Sequence, residues 1–161
     1  MKEKIIQYIV REYSSVDELP ESDRFLLQAS REAAEKAYAP YSGYRVGAAV
    51  LLANGEVLTG NNQENAAYPS GLCAERTVLF YASSQYPGVA VKALAVSAPG
   101  NGEQLDAMAK PCGACRQVIA EYEDLAVSPI RILLDGAPVT VLDGVDALLP
   151  MRFKNSDLKK K

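Results

Sequence analysis

Residues 73–76 read "CAER" and residues 111–115 read "PCGAC". Together they hold all three cysteines of a 161-residue chain that contains no histidine. Glu75 stands two positions after Cys73, and Cys112 and Cys115 are three apart. Each cluster falls where a polar stretch with Gly or Pro gives way to a helix-forming one, so each marks a predicted helix start. The free N–H groups and the dipole there favour thiolate over thiol. One helical turn puts Cys112 and Cys115 on the same side, and Pro111 suits the entry to that turn. If the two helix starts face each other, three thiolates converge on one point.

Outward from these clusters, the chain alternates strand-like and helix-like segments. "IIQYIVREY" (5–13) alternates apolar and polar residues and predicts a strand, with a short helix as the rival. "DELPESD" (17–23) is a break. Ser22 or Asp23 then caps a helix to about Tyr38, with Phe25, Leu26, Ala29, Ala33 and Ala37 facing inward. "APYSG" (39–43) stops it, because Pro40 disfavours a helical Ala39. "YRVGAAVLLA" (44–53) and "EVLTGN" (56–61) form a hairpin about Asn54-Gly55. "NQENAAYPSG" (62–71) is loop, and a helix spans about Cys73 to Ser84. "VKALAVSA" (91–98) is a strand, "PGNGEQLDAMA" (99–109) a polar loop, and a second cysteine-bearing helix runs from about Gly113 to Tyr122. "IRILLD" (130–135) and "PVTVLD" (138–143) are strands turning at "GA", and "VDALLP" (145–150) is a short helix. The pattern predicts a three-layer α/β fold with one mixed sheet. Residues 1–161 read as a single domain, with 1–20 an N-terminal extension that supplies an extra strand.

Hydrophobic residues make up 48% and charged residues 23%, with a net charge of −3. No basic face stands out, which argues against nucleic acid as a partner. No apolar run approaches the ~20 residues needed to cross a bilayer. "MKEKIIQYIV" does not read as a secretory leader, since Glu3, Gln7 and Arg11 break it. The expected location is the cytoplasm, where thiols stay reduced and three cysteines do not all pair. Lys159, Lys160 and Lys161 read as a solvated tail.

In a reduced compartment, close-spaced cysteines point to metal binding or catalysis. Zinc best fits three sulfurs. Structural zinc sites usually fill all four positions with protein. Here an Asp or Glu could close the site, but a fourth position left to water is the simpler account. An open position implies catalysis, because zinc lowers the pKa of the water it binds. Glu75, on the first helical turn, is then the proton carrier. Arg76 can hydrogen-bond a ligand thiolate; the lesser reading, taken alone, is a surface ion-pair partner. The competing readings are a redox pair, a closed structural zinc site and three buried thiols. A redox pair leaves Cys73 and Glu75 without a role.

The spacing matches the nucleobase-deaminase signature of a His or Cys, then x-E, then P-C-x-x-C. "APYSGYRVGAAVL" (39–51), "GNNQENAAYPSGLCAERT" (60–77), "PCGACRQVI" (111–119) and "LLPMRF" (148–153) extend the match over about residues 25 to 158. In that order the chain resembles the three-cysteine, homotetrameric cytidine deaminases. The resemblance implies an α/β/α fold with a mixed five-stranded sheet and helices on both faces. It implies one zinc per subunit on Cys73, Cys112 and Cys115, with Glu75 shuttling protons from water to the base and to the departing amino group. Asn62 and Glu64 would bind the ribose hydroxyls, and Ala74 would belong to the substrate site. Tyr44 takes the place of the phenylalanine that stacks on the pyrimidine. Tyr68 and Phe153 would reach into a neighbouring subunit's site, and Arg116 and Gln117 would help orient the ligands. Taken alone, Tyr44 and Phe153 read as core residues. The chain departs from the family at Tyr44, at Arg45 for proline, at Gln63 for an aliphatic residue and at Lys110 for serine. The implied reaction is hydrolytic deamination of cytidine and 2′-deoxycytidine to uridine and 2′-deoxyuridine, with no nucleic-acid or membrane partner. The rivals are deamination of another aminopyrimidine nucleoside such as blasticidin S, and a non-catalytic zinc-binding module.

Overall fold

Alternation along the central strands divides the core in two. In the computed structural model, which describes residues 1–99 and 108–158, β2 (Gly47–Leu52) sends Ala48, Val50 and Leu52 to one face and Ala49 to the other. β4 (Val91–Ser97) and β5 (Arg131–Leu134) repeat the division. Leu94, Val96, Ile132 and Leu134 join the first face, while Ala93, Ala95 and Leu133 join the second. Both faces are apolar, so both must be covered. Helices α2 (Ala74–Gln85) and α3 (Gly113–Ala126) cover the first through Val78, Leu79, Ile119 and Ala120. Helix α1 (Glu21–Glu35) covers the second through Leu26 and Leu27. The result is the expected three layers.

The sheet is mixed. With β1 (Val10–Tyr13), β3 (Val57–Asn61) and β6 (Val139–Asp143), its order is β1-β6-β5-β4-β2-β3. Among the described strands only β4 and β5 pair in parallel. A parallel pair needs a crossover, and α3 lies on the segment that makes it. The hairpin turns at Asn54-Gly55 as its sequence demands, with Gly55 at φ 90°. Two glycines set how closely the helices approach that hairpin. A Cβ on Gly47 would lie 2.0 Å from the Ser30 carbonyl oxygen and 2.4 Å from the Ala34 nitrogen of α1. A Cβ on Gly60 would lie 2.9 Å from the Val78 nitrogen of α2.

Several expectations need correction. The sheet has six strands rather than five, because β1 in the N-terminal extension pairs with β6 from Val10↔Leu142 to Tyr13↔Val139. That strand covers only the second half of the 5–13 run; Ile5, Ile6 and Ile9 are exposed. Helix α1 starts after Pro20, with no side-chain cap from Ser22 or Asp23, and ends at Glu35. Phe25 is exposed. The inward stripe is Asp23, Leu26, Leu27, Ser30, Ala33 and Ala34, a helical period that leaves position 25 on the outer side. Asp23 sits in that stripe because the Arg131 guanidinium reaches it at 2.7 Å. Helix α3 runs four residues past Tyr122, and "VDALLP" forms only a 3-10 turn at Val145–Ala147. Most of the polar loop predicted over 99–109, namely 100–107, and the lysine tail at 159–161 lie outside the described residues. No described helix is long and apolar enough to cross a membrane.

Candidate active site

Helices α2 and α3 lie on one face of the sheet, and their N-termini meet. Cys73 is the residue immediately before α2, and Cys112 immediately before α3; Cys115 is buried in the first turn of α3. The three sulfurs lie within 4.8 Å of one another. Cys112 Sγ is 3.8 Å from Cys73 Sγ and 3.4 Å from Cys115 Sγ. Zinc binds thiolate sulfur at about 2.3 Å, and a tetrahedron of that size spaces its sulfurs about 3.8 Å apart. The donor set therefore fits zinc. Among the described residues no further cysteine or carboxylate joins the cluster.

The electrostatics separate the three thiols. The Cys115 thiol and Arg76 both donate toward Cys73, and against the opposing effect of burial they pull the Cys73 thiol down to about 5. The same bond to Cys73, with burial and the nearby Glu75 charge, pushes Cys115 up. Without a metal, the cluster therefore gives up its first proton more readily than an isolated thiol does. Arg76 Nη2 lies 3.7 Å from the Cys73 sulfur, and the thiolate raises the guanidinium further above its ordinary value. Arg116 braces the second cysteine loop, donating to the Pro111 carbonyl at 2.8 Å and to that of Leu148 at 2.7 Å.

Glu75 is only 3% exposed. Burial pushes its carboxyl up from the ordinary range, and the Cys73 charge adds to the shift, against the helix-start N–H that favours the anion. It lines a cavity of about 400 Å³ together with Tyr44, Asn62, Tyr68, Cys73 and Lys110. That volume suits a small organic ligand. A carboxyl with a raised pKa, beside a metal-type sulfur cluster at the wall of a cavity, is equipped to hold and pass a proton near neutral pH.

Asn62 and Glu64 reach the cavity but also shape it. Asn62 Oδ1 accepts the Val46 N–H at 2.8 Å, and Nδ2 donates to the Tyr44 carbonyl at 2.9 Å. Glu64 accepts the N–H groups of Tyr41 and Ser42 at 2.8 and 3.2 Å, and the Ser42 hydroxyl as well. The Ser42 hydroxyl and the Tyr41 N–H hold the Glu64 carboxyl below its usual range. Ser42 Oγ in turn accepts the Tyr44 N–H at 2.9 Å. These bonds fasten the 41–46 loop, and with it Tyr44. Sequence reasoning missed Ser42; its one signal was a place beside Gly43 in a predicted turn. Tyr44 and Phe153 are exposed rather than in the core. Ala74 is fully buried and, like Phe153 and Gln117, lies outside the lining of its own chain's cavity. Gln117 Nε2 donates to the Phe153 carbonyl at 3.1 Å.

The chain is similar to known proteins along most of its length. The family model for the cytidine and deoxycytidylate deaminase zinc-binding region matches residues 20–128. The cytidine deaminase of Sporosarcina psychrophila is 50% identical over 134 residues, 83% of this chain and 92% of that protein. That of Halalkalibacterium halodurans is 39% identical over 136 residues, 84% and 96% of the two chains. A crystal structure of cytidine deaminase from Burkholderia pseudomallei superposes with a TM-score of 0.69 at 39% identity, covering 84% of this chain and 100% of that one. The cysteine cluster, the buried glutamate and this likeness along most of the chain lead to one conclusion: the chain belongs to the cytidine and deoxycytidylate deaminase family.

Proposed function

We propose that the protein hydrolytically deaminates cytidine and 2′-deoxycytidine, releasing ammonia and leaving uridine or 2′-deoxyuridine. The observation that carries this reading is the buried Glu75 carboxyl at a cavity wall beside three sulfurs within 4.8 Å of one another. Cys73, Cys112 and Cys115 hold one zinc ion per chain, which when bound supplies the Lewis acidity that makes a water nucleophilic near neutral pH. Glu75 takes the proton from the attacking water and delivers it to N3 of the base, making C4 electrophilic. It then carries the second proton to the amino group, which leaves as ammonia. Its raised pKa suits both transfers. Arg76, hydrogen-bonded to Cys73, offsets charge on the ligand set.

Tyr44 packs its ring on the pyrimidine. The second amide N–H of Asn62 and the ionised Glu64 face the sugar hydroxyls. A net charge of −3 favours a free nucleoside over a polynucleotide. Phe153, exposed and outside the lining of its own chain's cavity, enters the cavity of a neighbouring copy in a homotetramer, whereas Tyr68, expected to do the same, lines the cavity of its own chain. Three unpaired cysteines close together support a reducing compartment, the cytoplasm, as its location.

The test is a set of separate incubations of zinc-loaded protein with cytidine, 2′-deoxycytidine and blasticidin S, reading ammonia and the ultraviolet change in each. Ammonia from both cytosine nucleosides is the expected result. Ammonia from blasticidin S alone overturns the substrate assignment, and zinc bound with no ammonia from any of the three overturns the enzymatic one.

A further inference from the structure

Deamination chemistry leaves an ion cluster behind α3 without a role. The Arg152 side chain is only 5% exposed. Its Nε lies 2.6 Å from Asp146 Oδ1, its Nη1 2.8 Å from Asp124 Oδ1 and its Nη2 3.4 Å from Glu123 Oε1. Nη1 also donates to the Ala120 carbonyl at 3.1 Å. Glu123 is itself buried, and its second oxygen accepts the N–H groups of Ile130 and Val145, both at 3.0 Å. Burying such charges is costly unless their partners are complete, and here they are.

This cluster anchors a segment with little regular structure. Gln117 and Arg116 of α3 grip the Phe153 and Leu148 carbonyls on either side of it. The side chains flanking the buried arginine point the other way: Met151 is 90% and Phe153 56% exposed. Met151 adopts φ 55°, a conformation rare for a side chain of its kind. Two large apolar groups are thus held at the surface by a buried ionic anchor, whereas a solvated tail would leave them free to turn inward.

We infer that Arg152 is a positioning residue that acts across a subunit boundary: its bonds to Glu123, Asp124 and Asp146 fix residues 148–153 so that Phe153 is presented ready-ordered to a second copy's cavity. The inference rests on the reading that Phe153 enters a neighbouring site. Ordering Phe153 in advance lowers the entropy lost when the cavity closes on substrate. The effect belongs to binding, and it belongs to the neighbour.

Subunit mixing tests this. Glu75→Gln keeps the 148–153 segment and lacks the proton carrier; Arg152→Met and Phe153→Ala keep the carrier and lose the anchor or the ring. Each of the latter two alone is expected to raise KM about tenfold with kcat within about twofold. Co-expressed with Glu75→Gln, each is expected to regain a fraction of sites with the parent KM, because an intact segment then serves an intact Glu75. If Phe153→Ala is rescued while Arg152→Met is not, or if Arg152→Met keeps the parent KM, the role of Arg152 is refuted and the shared site stands. If Phe153→Ala is not rescued, the shared site itself is refuted, and Arg152 with it. Should Arg152→Met fail to fold, Asp146→Asn removes one half-exposed partner of the guanidinium. A rescuable rise of about threefold in KM is expected there, and an unchanged KM refutes the inference.

Discussion

The Arg76 guanidinium lies 3.7 Å from the Cys73 sulfur, so a predicted metal ligand and the cation that offsets its charge stand only three positions apart in the chain. With the Cys115 thiol it pulls Cys73 from an ordinary 9.0 down to about 5. A thiol whose pKa falls on folding contributes stability that is present above its unfolded value and lost as pH drops through the folded one. The metal-free protein should therefore lose stability between about pH 9 and pH 5, measured as the denaturant midpoint. Thiolate absorbance should show its first thiolate forming near pH 5, and Arg76→Gln should move that step to higher pH. An unmoved step would refute Arg76 as a cause.

Glu75→Gln separates proton transfer from folding. Turnover should fall by about 10²–10⁴-fold, while bound zinc, measured by metal analysis, stays at one per chain. Because burial raises the Glu75 pKa, its contribution to stability is present below the unfolded value and lost as pH rises. Metal-free Glu75→Gln should thus melt at or above the parent's temperature at neutral pH and close to it in acid. A lower neutral melting temperature contradicts the desolvation argument.

Ser42→Ala removes the hydroxyl that joins Glu64 to the Tyr44 backbone. Glu64 then loses its largest source of anion stabilisation. The acid limb of kcat/KM should move to higher pH, and KM should rise more than kcat falls. An acid limb in the parent's position would remove Ser42 from the site.

Gly47→Ala forces a Cβ to within 2.0 Å of the Ser30 carbonyl oxygen. Neither backbone can yield without separating α1 from the sheet. The expected loss is about 3 kcal/mol or more, read from urea unfolding of the zinc-loaded protein. Gly55→Ala has no atom within 4 Å of its Cβ, only the φ 90° strain, and should cost less. Equal losses would argue against the close helix–hairpin contact.

The site and the fold were legible in the sequence to different depths. Spacing alone put Cys112 and Cys115 on one helical turn, and Asn54-Gly55 announced the hairpin, because both depend on bonds a few residues apart. Phe25 was misplaced because Phe25, Leu26 and Leu27 are consecutive apolar residues, and only the buried stripe shows which of them face the sheet. The sixth strand was assigned to the extension, but its place beside β6 is a pairing across more than a hundred residues. Asn62 and Glu64 were named for the ribose hydroxyls by resemblance; that they also fasten the Tyr44 loop depends on backbone groups about twenty positions away.

By itself the sequence determined the chemistry available: three thiols without histidine, a carboxyl on the first helical turn, and helix starts that favour anions. Those properties are local, set by residue type and a single turn of backbone. Only the tertiary structure decided that Cys73 meets Cys112 across 39 positions, that Glu75 is buried while Tyr44 and Phe153 are not, and that Arg152 is anchored next to an exposed Phe153. Each of these follows from α2 and α3 packing on one face of a sheet, a choice made by the whole core and by no segment within it.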